Sequence, residues 1–245
     1  MLSCSPAHAA RRSDRALRGS RSSSAPTWRR KARICDRVSS STGETLFGDG
    51  RALDPHLERL HLTFCRLGQV TAGQARREFD ADVTWLPFDL HPEYPPEGIS
   101  LDELHRRYGM ADDPLPERFA AAGLEYNRPG VVPNTKLALR VSELAREQGL
   151  HDAFHDRLMD AYWSEALNIG SADELRRLAA ETGVDDVDRV LGDPTAYLDV
   201  VEGSTRQAYS IGVNAVPAFL LDRRLIVMGA QPIEVFRQAF SQLSE

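Results

Sequence analysis

The sequence has few of the residues that mark a disulfide-rich, metal-binding or membrane-spanning protein. Its three cysteines in 245 residues, Cys4, Cys35 and Cys65, are too widely spaced to indicate a disulfide framework or a zinc site. No apolar run approaches the length of a transmembrane helix, and the arginines near the start precede no apolar signal segment. Neither G-x-G-x-x-G nor a phosphate-binding loop motif occurs. We therefore expect a cytoplasmic protein with no bound metal or nucleotide and no membrane contact.

Positive charge is scarce in most of the chain and concentrated at its start. Residues 1–43 contain ten Lys and Arg against two acidic residues, which leaves 20 basic and 34 acidic residues in the rest, a net charge of −14. An acidic body argues against nucleic acid as the main partner. Residues 1–48 are rich in arginine and serine without apolar periodicity, which predicts a disordered tail or, alternatively, a polyanion-binding arm. The predicted folded domain covers residues 49–245.

One proline turn near the end of the chain is the most informative local pattern. Apolar residues flank Pro217, and a second apolar run, residues 225–230, follows closely. Proline suits the first residue of a strand, and an X-Pro bond is where a cis peptide is found. The pattern predicts a helix, a cis-proline turn at Val216–Pro217, two short strands and a closing helix over 232–243. The alternative is an ordinary hairpin with a trans proline.

Upstream of this turn, the sequence predicts one strand and a block of helices. Residues 83–90 are rich in β-branched and aromatic residues, as a strand requires. Ser100, Asn134 and Ser171 suit helix N-caps, Gly149 and Gly183 suit the positions after helix ends, and Pro194 suits a helix start. The predicted helices cover residues 67–79, 100–109, 114–124, 134–148, 151–164, 171–181, 185–191 and 194–211.

A histidine pair is the one arrangement that suggests metal ligation. His151 and His155 lie four residues apart and so share one helix face. Because no third ligand is evident, we interpret them as a solvated or interface pair. Trp85 and Phe88 are expected in the core, and Trp163 is expected to pack the helical block against the rest.

Five blocks of the sequence together resemble the DsbA-like thioredoxin family. The similarity is closest to its cytoplasmic dithiol oxidoreductases, a branch that also resembles 2-hydroxychromene-2-carboxylate isomerases and kappa-class glutathione transferases. The blocks are residues 85–98, 133–140, 168–171, 212–219 and 227–236, within a resemblance that covers about residues 65–245.

The resemblance implies an α/β protein with a thioredoxin fold, whose β-α-β and β-β-α halves are separated by an α-helical insertion over about residues 100–192. The implied activity is thiol–disulfide exchange on a protein or small-molecule thiol or disulfide, with no cofactor other than glutathione as a co-substrate. Val216 and Pro217 would then face the reacting thiols and contact the substrate. The family pattern also allows a homodimer.

The sequence departs from the family where the active site should be. The family places C-x-x-C after its first strand, at the start of the next helix, where helix N–H groups favour a thiolate. Cys65 matches the second cysteine, but Leu62 occupies the position of the first. The domain is then a redox-inert binding module, or a glutathione-dependent isomerase or transferase that uses one residue such as Cys65 or Thr63, or a product of a shifted reading frame.

The genetic code gives the third explanation a concrete form. Residues 59–65, Arg-Leu-His-Leu-Thr-Phe-Cys, can be encoded by CGA CTT CAC CTG ACC TTC TGC. Read one base later, with one base supplied after CTG, these codons encode Asp-Phe-Thr-Cys-Thr-Phe-Cys. The shifted reading contains C-x-x-C and continues in frame into the Arg-Leu-Gly that follows. The hypothesis is that residues before about Thr63 come from a shifted frame.

Overall fold

The computed structural model describes residues 61–108, 115–127 and 129–244. Within these ranges the chain forms helices with short antiparallel strand pairs between them. The helices are α1 (His61–Phe79), α2 (Leu101–Tyr108), α3 (Leu115–Ala121), α4 (Lys136–Glu147), α5 (His151–Trp163), α6 (Ala172–Thr182), α7 (Val187–Gly192), α8 (Leu198–Ser210) and α9 (Ile233–Leu243). The strands are β1 (Ile99–Ser100), β2 (Val131–Val132), β3 (Ala218–Leu221) and β4 (Leu225–Met228). The predicted tail, residues 1–48, lies outside the described residues, and so does the segment before His61, where the family has its first strand.

The strands form two separate antiparallel pairs. β1 pairs with β2 over two residues, and β3 pairs with β4 from Ala218↔Met228 to Leu221↔Leu225. Asp222 and Arg223 both have positive φ in the β3–β4 turn, which suits the right-handed twist of a hairpin. The predicted strand, turn and strand after Pro217 are therefore present, whereas the β1–β2 pair was not predicted.

The prediction of a strand at residues 83–90 is wrong, because no strand forms there among the described residues. This segment, which we call the 83–90 segment, has no strand partner among the described residues. Side chains bond its backbone instead: Arg76 Nη2 donates to the Val83 oxygen at 2.9 Å, and Arg146 donates to the Trp85 oxygen. A ladder needs a partner strand, and the family's first strand would precede His61, outside the described residues.

Helix ends differ from the predictions in two places. Pro194 does not begin α8, because Asp193 Oδ1 accepts from the Thr195 N–H and hydroxyl and holds residues 194–197 in a turn. Asn134 is not the N-cap of α4; its Oδ1 accepts from the Lys136 N–H, in an Asx-type turn, and Thr135 is the N-cap. Ser100 does cap α2, since its Oγ accepts from the Glu103 N–H at 3.2 Å.

The main hydrophobic core lies inside the helical block between α3 and α7. Its largest fully buried side chains include Trp163, Phe119 and Phe154. Leu67 of α1 packs against this core, so α1 joins the helical block to the rest of the domain. A second, smaller cluster comprises Val227, Phe236 and Ala239, beside the β3–β4 hairpin. None of the helices in the described ranges is long and apolar enough to cross a membrane.

Candidate active site

The cis-proline turn packs directly against α1. The Val216–Pro217 peptide bond is cis, and the Gly229 N–H donates to the Pro217 oxygen at 2.7 Å, which ties the turn to the end of β4. A Cβ placed on Gly68 would lie 2.8 Å from Cγ of Pro217. That distance is too short for a real contact, so only glycine permits this approach of α1 to the turn. Gly68 was not predicted as a site residue, although a glycine inside a predicted helix is a signal for such a close contact.

Cys65 lies one helical turn before Gly68. Residues three apart in a helix are neighbours on its surface, so Cys65 is on the side of α1 that approaches the turn. It is not in a disulfide, and burial raises the pKa of its thiol to about 12. At neutral pH Cys65 is therefore a protonated thiol and a weak nucleophile.

Leu62 lies in the first turn of α1, three residues before Cys65. The backbone thus puts positions 62 and 65 one turn apart at the start of the helix, the spacing that C-x-x-C requires. The first position has no sulfur. Val216, the other predicted contact residue, is half-buried and directly precedes the cis bond. The cis-proline turn therefore packs on α1 at Gly68, three residues after Cys65.

On its other side, α1 meets α5 through polar side chains. Arg66 pairs with Asp160, Gln69 donates to Asp156, and Arg76 Nη2 lies 2.9 Å from Oδ2 of Asp152. The three acceptors follow one another at four-residue spacing along α5, so they share one face. We call these three pairs the α1–α5 seam. It holds the helical block against the helix that carries Cys65.

The histidine pair lies beside this seam and is not solvated. His155 stacks between the Trp85 ring, 4.7 Å away between centroids, and the His151 ring at 5.8 Å. Burial and, to a smaller extent, the charge of His151 lower the pKa of His155 to about 4. The described residues contain no cluster of metal-ligating side chains. His151 and His155 are therefore not a solvated pair, and they lie at an interface, where His155 packs on Trp85.

Arg118, on α3 of the helical block, contacts the first turn of α1. The guanidinium carbon of Arg118, on α3, lies 5.4 Å from the centroid of the Phe64 ring, a cation–π contact. Phe64 directly precedes Cys65. Nothing in the sequence placed Arg118 near this residue, because the contact joins separate helices.

Comparisons with known proteins identify the family. A family model described as a DSBA-like thioredoxin domain matches residues 63–241. The chain belongs to this family, and its fold is the α/β thioredoxin fold with a helical insertion that the sequence predicts.

Individual relatives support this assignment. The uncharacterized protein YwbO of Bacillus subtilis (strain 168) is 29% identical over 184 residues, which are 73% of this chain and 90% of YwbO. The crystal structure of the probable DsbA oxidoreductase SCO1869 from Streptomyces coelicolor is 31% identical, with a TM-score of 0.69, and the match covers 74% of this chain and 84% of that one. A 2-hydroxychromene-2-carboxylate isomerase structure matches with a TM-score of 0.60 at 16% identity, over 74% of this chain and 91% of that chain. At that identity, the last likeness is one of fold alone.

Proposed function

We propose that this domain is built for thiol–disulfide exchange at the first turn of α1, and that this chain holds only one of the two thiols that the exchange needs. The observation that carries the proposal is the packing of α1 on the cis-proline turn. Gly68 contacts Pro217 and Cys65 lies one turn away, so a disulfide held along the turn would reach the start of α1.

The chemistry requires two sulfurs with different tasks. A thiolate attacks one sulfur of the substrate disulfide, a mixed disulfide forms, and one substrate thiolate leaves. The second protein thiol then loses its proton and attacks the mixed disulfide, which releases the other substrate thiol and leaves a protein disulfide. Cys65, half-buried and with a pKa of about 12, suits the second step. The first step needs an exposed thiol of low pKa, and position 62 provides leucine.

We further propose that leucine at position 62 results from a shifted reading frame. The family model matches from residue 63 onward, directly after Leu62. The shifted frame also ends where the match begins, since the reading continues in frame from Thr63. The shifted codons described above supply a cysteine at position 62.

The coding DNA across codons 49–66 tests this directly. We expect a single-base change that opens a frame reading a strand into C-x-x-C. If no single-base change there produces such a frame, the reading-frame proposal is wrong, and the redox-inert module and the glutathione-dependent enzyme remain.

Activity tests the dithiol proposal separately. The chain with Leu62 should fail to reduce insulin disulfides, and Leu62→Cys should acquire turnover because it restores the attacking sulfur. Leu62→Ser is the matched control, similar in size to cysteine but without sulfur, and Leu62→Cys with Cys65→Ser should stop at the mixed disulfide. Robust turnover by the unaltered chain would contradict the proposal.

The glutathione-dependent isomerase or transferase is the second candidate. It needs one activated residue, and the raised pKa of Cys65 weighs against Cys65 in that task. Saturable glutathione binding that Cys65→Ala abolishes, together with isomerase or transferase turnover, would favour it over dithiol exchange. Peptide binding that Cys65→Ala leaves unchanged would favour the binding module.

A further inference from the structure

Arg118 is an exposed cation that the fold holds at a defined place. α3 is anchored by Leu115 and Phe119, neither of which is exposed at all, and Arg118 directly precedes Phe119. The anchored helix therefore fixes where the Arg118 backbone lies. The cation–π contact with Phe64 then directs its side chain to the first turn of α1.

Arg118 differs from the other arginine near this turn. Arg66 is neutralised by Asp160, and its side chain is only 15% exposed. Arg118 has no carboxylate within ion-pair distance among the residues that the structure describes. Because the ring of Phe64 covers one face of the guanidinium, the N–H groups at its edge stay available to a planar anion. A carboxylate matches that fork with two parallel hydrogen bonds.

We infer that Arg118 recognises a carboxylate on the substrate, and that the favoured substrates are thiols or disulfides with a negative charge near the reacting sulfur. This inference rests on the proposed function, because it assumes that the substrate sulfur is held at the start of α1. The acidic body, with a net charge of −14 over residues 44–245, repels anions in general. A cation beside Phe64, between positions 62 and 65, counters that repulsion at the one place where an anionic substrate would react.

Two disulfide reagents of opposite character test the inference in the Leu62→Cys chain. 5,5′-Dithiobis(2-nitrobenzoate) has a carboxylate on each ring, and 2,2′-dithiodipyridine has none. The measured quantity is the ratio of their reaction rates with the thiol introduced at position 62. We expect Arg118→Ala to lower the ratio of the anionic to the neutral rate about three- to tenfold, the range for loss of a partly exposed charge-assisted hydrogen bond. Arg118→Lys should lower it less, and Arg106→Ala, at an exposed arginine of α2, should leave it unchanged.

The outcomes separate the inference from the proposed function. If the introduced thiol reacts quickly with both reagents and Arg118→Ala leaves the ratio of rates unchanged, the inference is wrong while the proposed function stands. If the introduced thiol reacts no faster than a buried thiol with either reagent, the proposed function fails, and the inference fails with it.

A binding measurement on the unaltered chain keeps the inference testable without a substitution at position 62. Calorimetric titration would compare glutathione with its diethyl ester, in which both carboxylates are neutral. We expect tighter binding of the acid than of the ester, with the preference lost in Arg118→Ala. Equal affinity for acid and ester in the unaltered chain would overturn the inference.

Discussion

The helical insertion and the two halves that flank it differ in the size of their apolar cores. The insertion has a large apolar core with fully buried aromatic rings, and its surface is covered by arginine–carboxylate pairs. The smaller cluster beside the hairpin has three buried members among the described residues, and every residue of β3 is half-buried. Hydrophobic stabilisation is therefore concentrated in the insertion, whereas the proposed chemistry lies in the flanking halves.

The difference has a structural cause. In the described residues β3 and β4 pair only with each other, and the 83–90 segment pairs with no strand. A two-stranded hairpin is marginally stable alone, so this one depends on its packing against α1 and α9. Among the described residues, the hairpin is thus supported by helix contacts.

The largest expected effects come from emptying the two cores. Phe154→Ala in the insertion and Phe236→Ala beside the hairpin each remove a ring that is at most 1% exposed, at a cost of about 3–5 kcal/mol. Hydrogen exchange would show where the cost falls. We expect Phe236→Ala to expose amides of α9 and the hairpin while α4 and α5 stay protected. Equal loss of protection in α4 and α5 would break the comparison between the regions.

The boundary between the regions should be sensitive to acid. The pKa of His155 is lowered to about 4 from an unfolded value of about 6.5, so the unfolded chain binds more protons between these values. The free energy of unfolding should therefore fall as the pH falls from about 6.5 to 4, by at most about 3 kcal/mol. Burial raises the pKa of Asp156, which opposes this trend near the acid end.

His155→Phe tests this, because it keeps a ring on Trp85 and removes the titration. Urea unfolding over pH 4–7 should show a flatter dependence for His155→Phe than for the unaltered chain. His91→Gln, at a loop histidine outside the α1–α5 seam, is the control. An equally steep dependence in His155→Phe would show that the seam does not respond to pH through His155.

Two glycines of α1 offer a matched pair with opposite expected signs. Gly68→Ala places a Cβ 2.8 Å from Pro217 and should cost about 1–3 kcal/mol, whereas the nearest atom to a Cβ on Gly73 is 3.5 Å away on the Arg77 side chain. Gly73→Ala should stabilise the chain by about 0.5–1 kcal/mol, because alanine favours a helix interior. Thermal melts would check both, and a stabilising Gly68→Ala would mean that α1 does not press on the turn.

The smallest expected effect lies on the surface of the insertion. Arg176 pairs with Asp173 and Asp188, whose side chains are 92% and 73% exposed. Because solvent screens such pairs, Arg176→Ala should lower the midpoint of urea unfolding only slightly. A larger loss would indicate that the surface pairs, and not the apolar core alone, make the insertion the more stable region.

Much of the fold could be predicted because its signals are local. Helix periodicity and end residues placed α2 to α7 to within a few residues, and the apolar runs around Pro217 predicted the hairpin. Pro194 misled because the Asx-type turn of Asp193 competes with helix initiation. The 83–90 segment misled because composition indicates an extended backbone, while a ladder also requires a partner strand.

The site was predictable in part for the same reason. The family pattern led to Cys65, Val216 and Pro217, which lie along two short pieces of sequence. Gly68 and Arg118 act through contacts with distant segments, the first with the proline turn and the second with Phe64. No sequence spacing encodes such contacts, so only the folded arrangement reveals them.

The 83–90 segment also has a consequence for solubility. Its backbone pairs with no other strand and is an open edge among the described residues, and Leu86 on it is 46% exposed. Such edges act as templates for strands of other molecules and promote aggregation. Arg76 and Arg146 occupy two of its carbonyl groups and so blunt the edge where they bind. The chain should consequently self-associate more readily as its concentration rises.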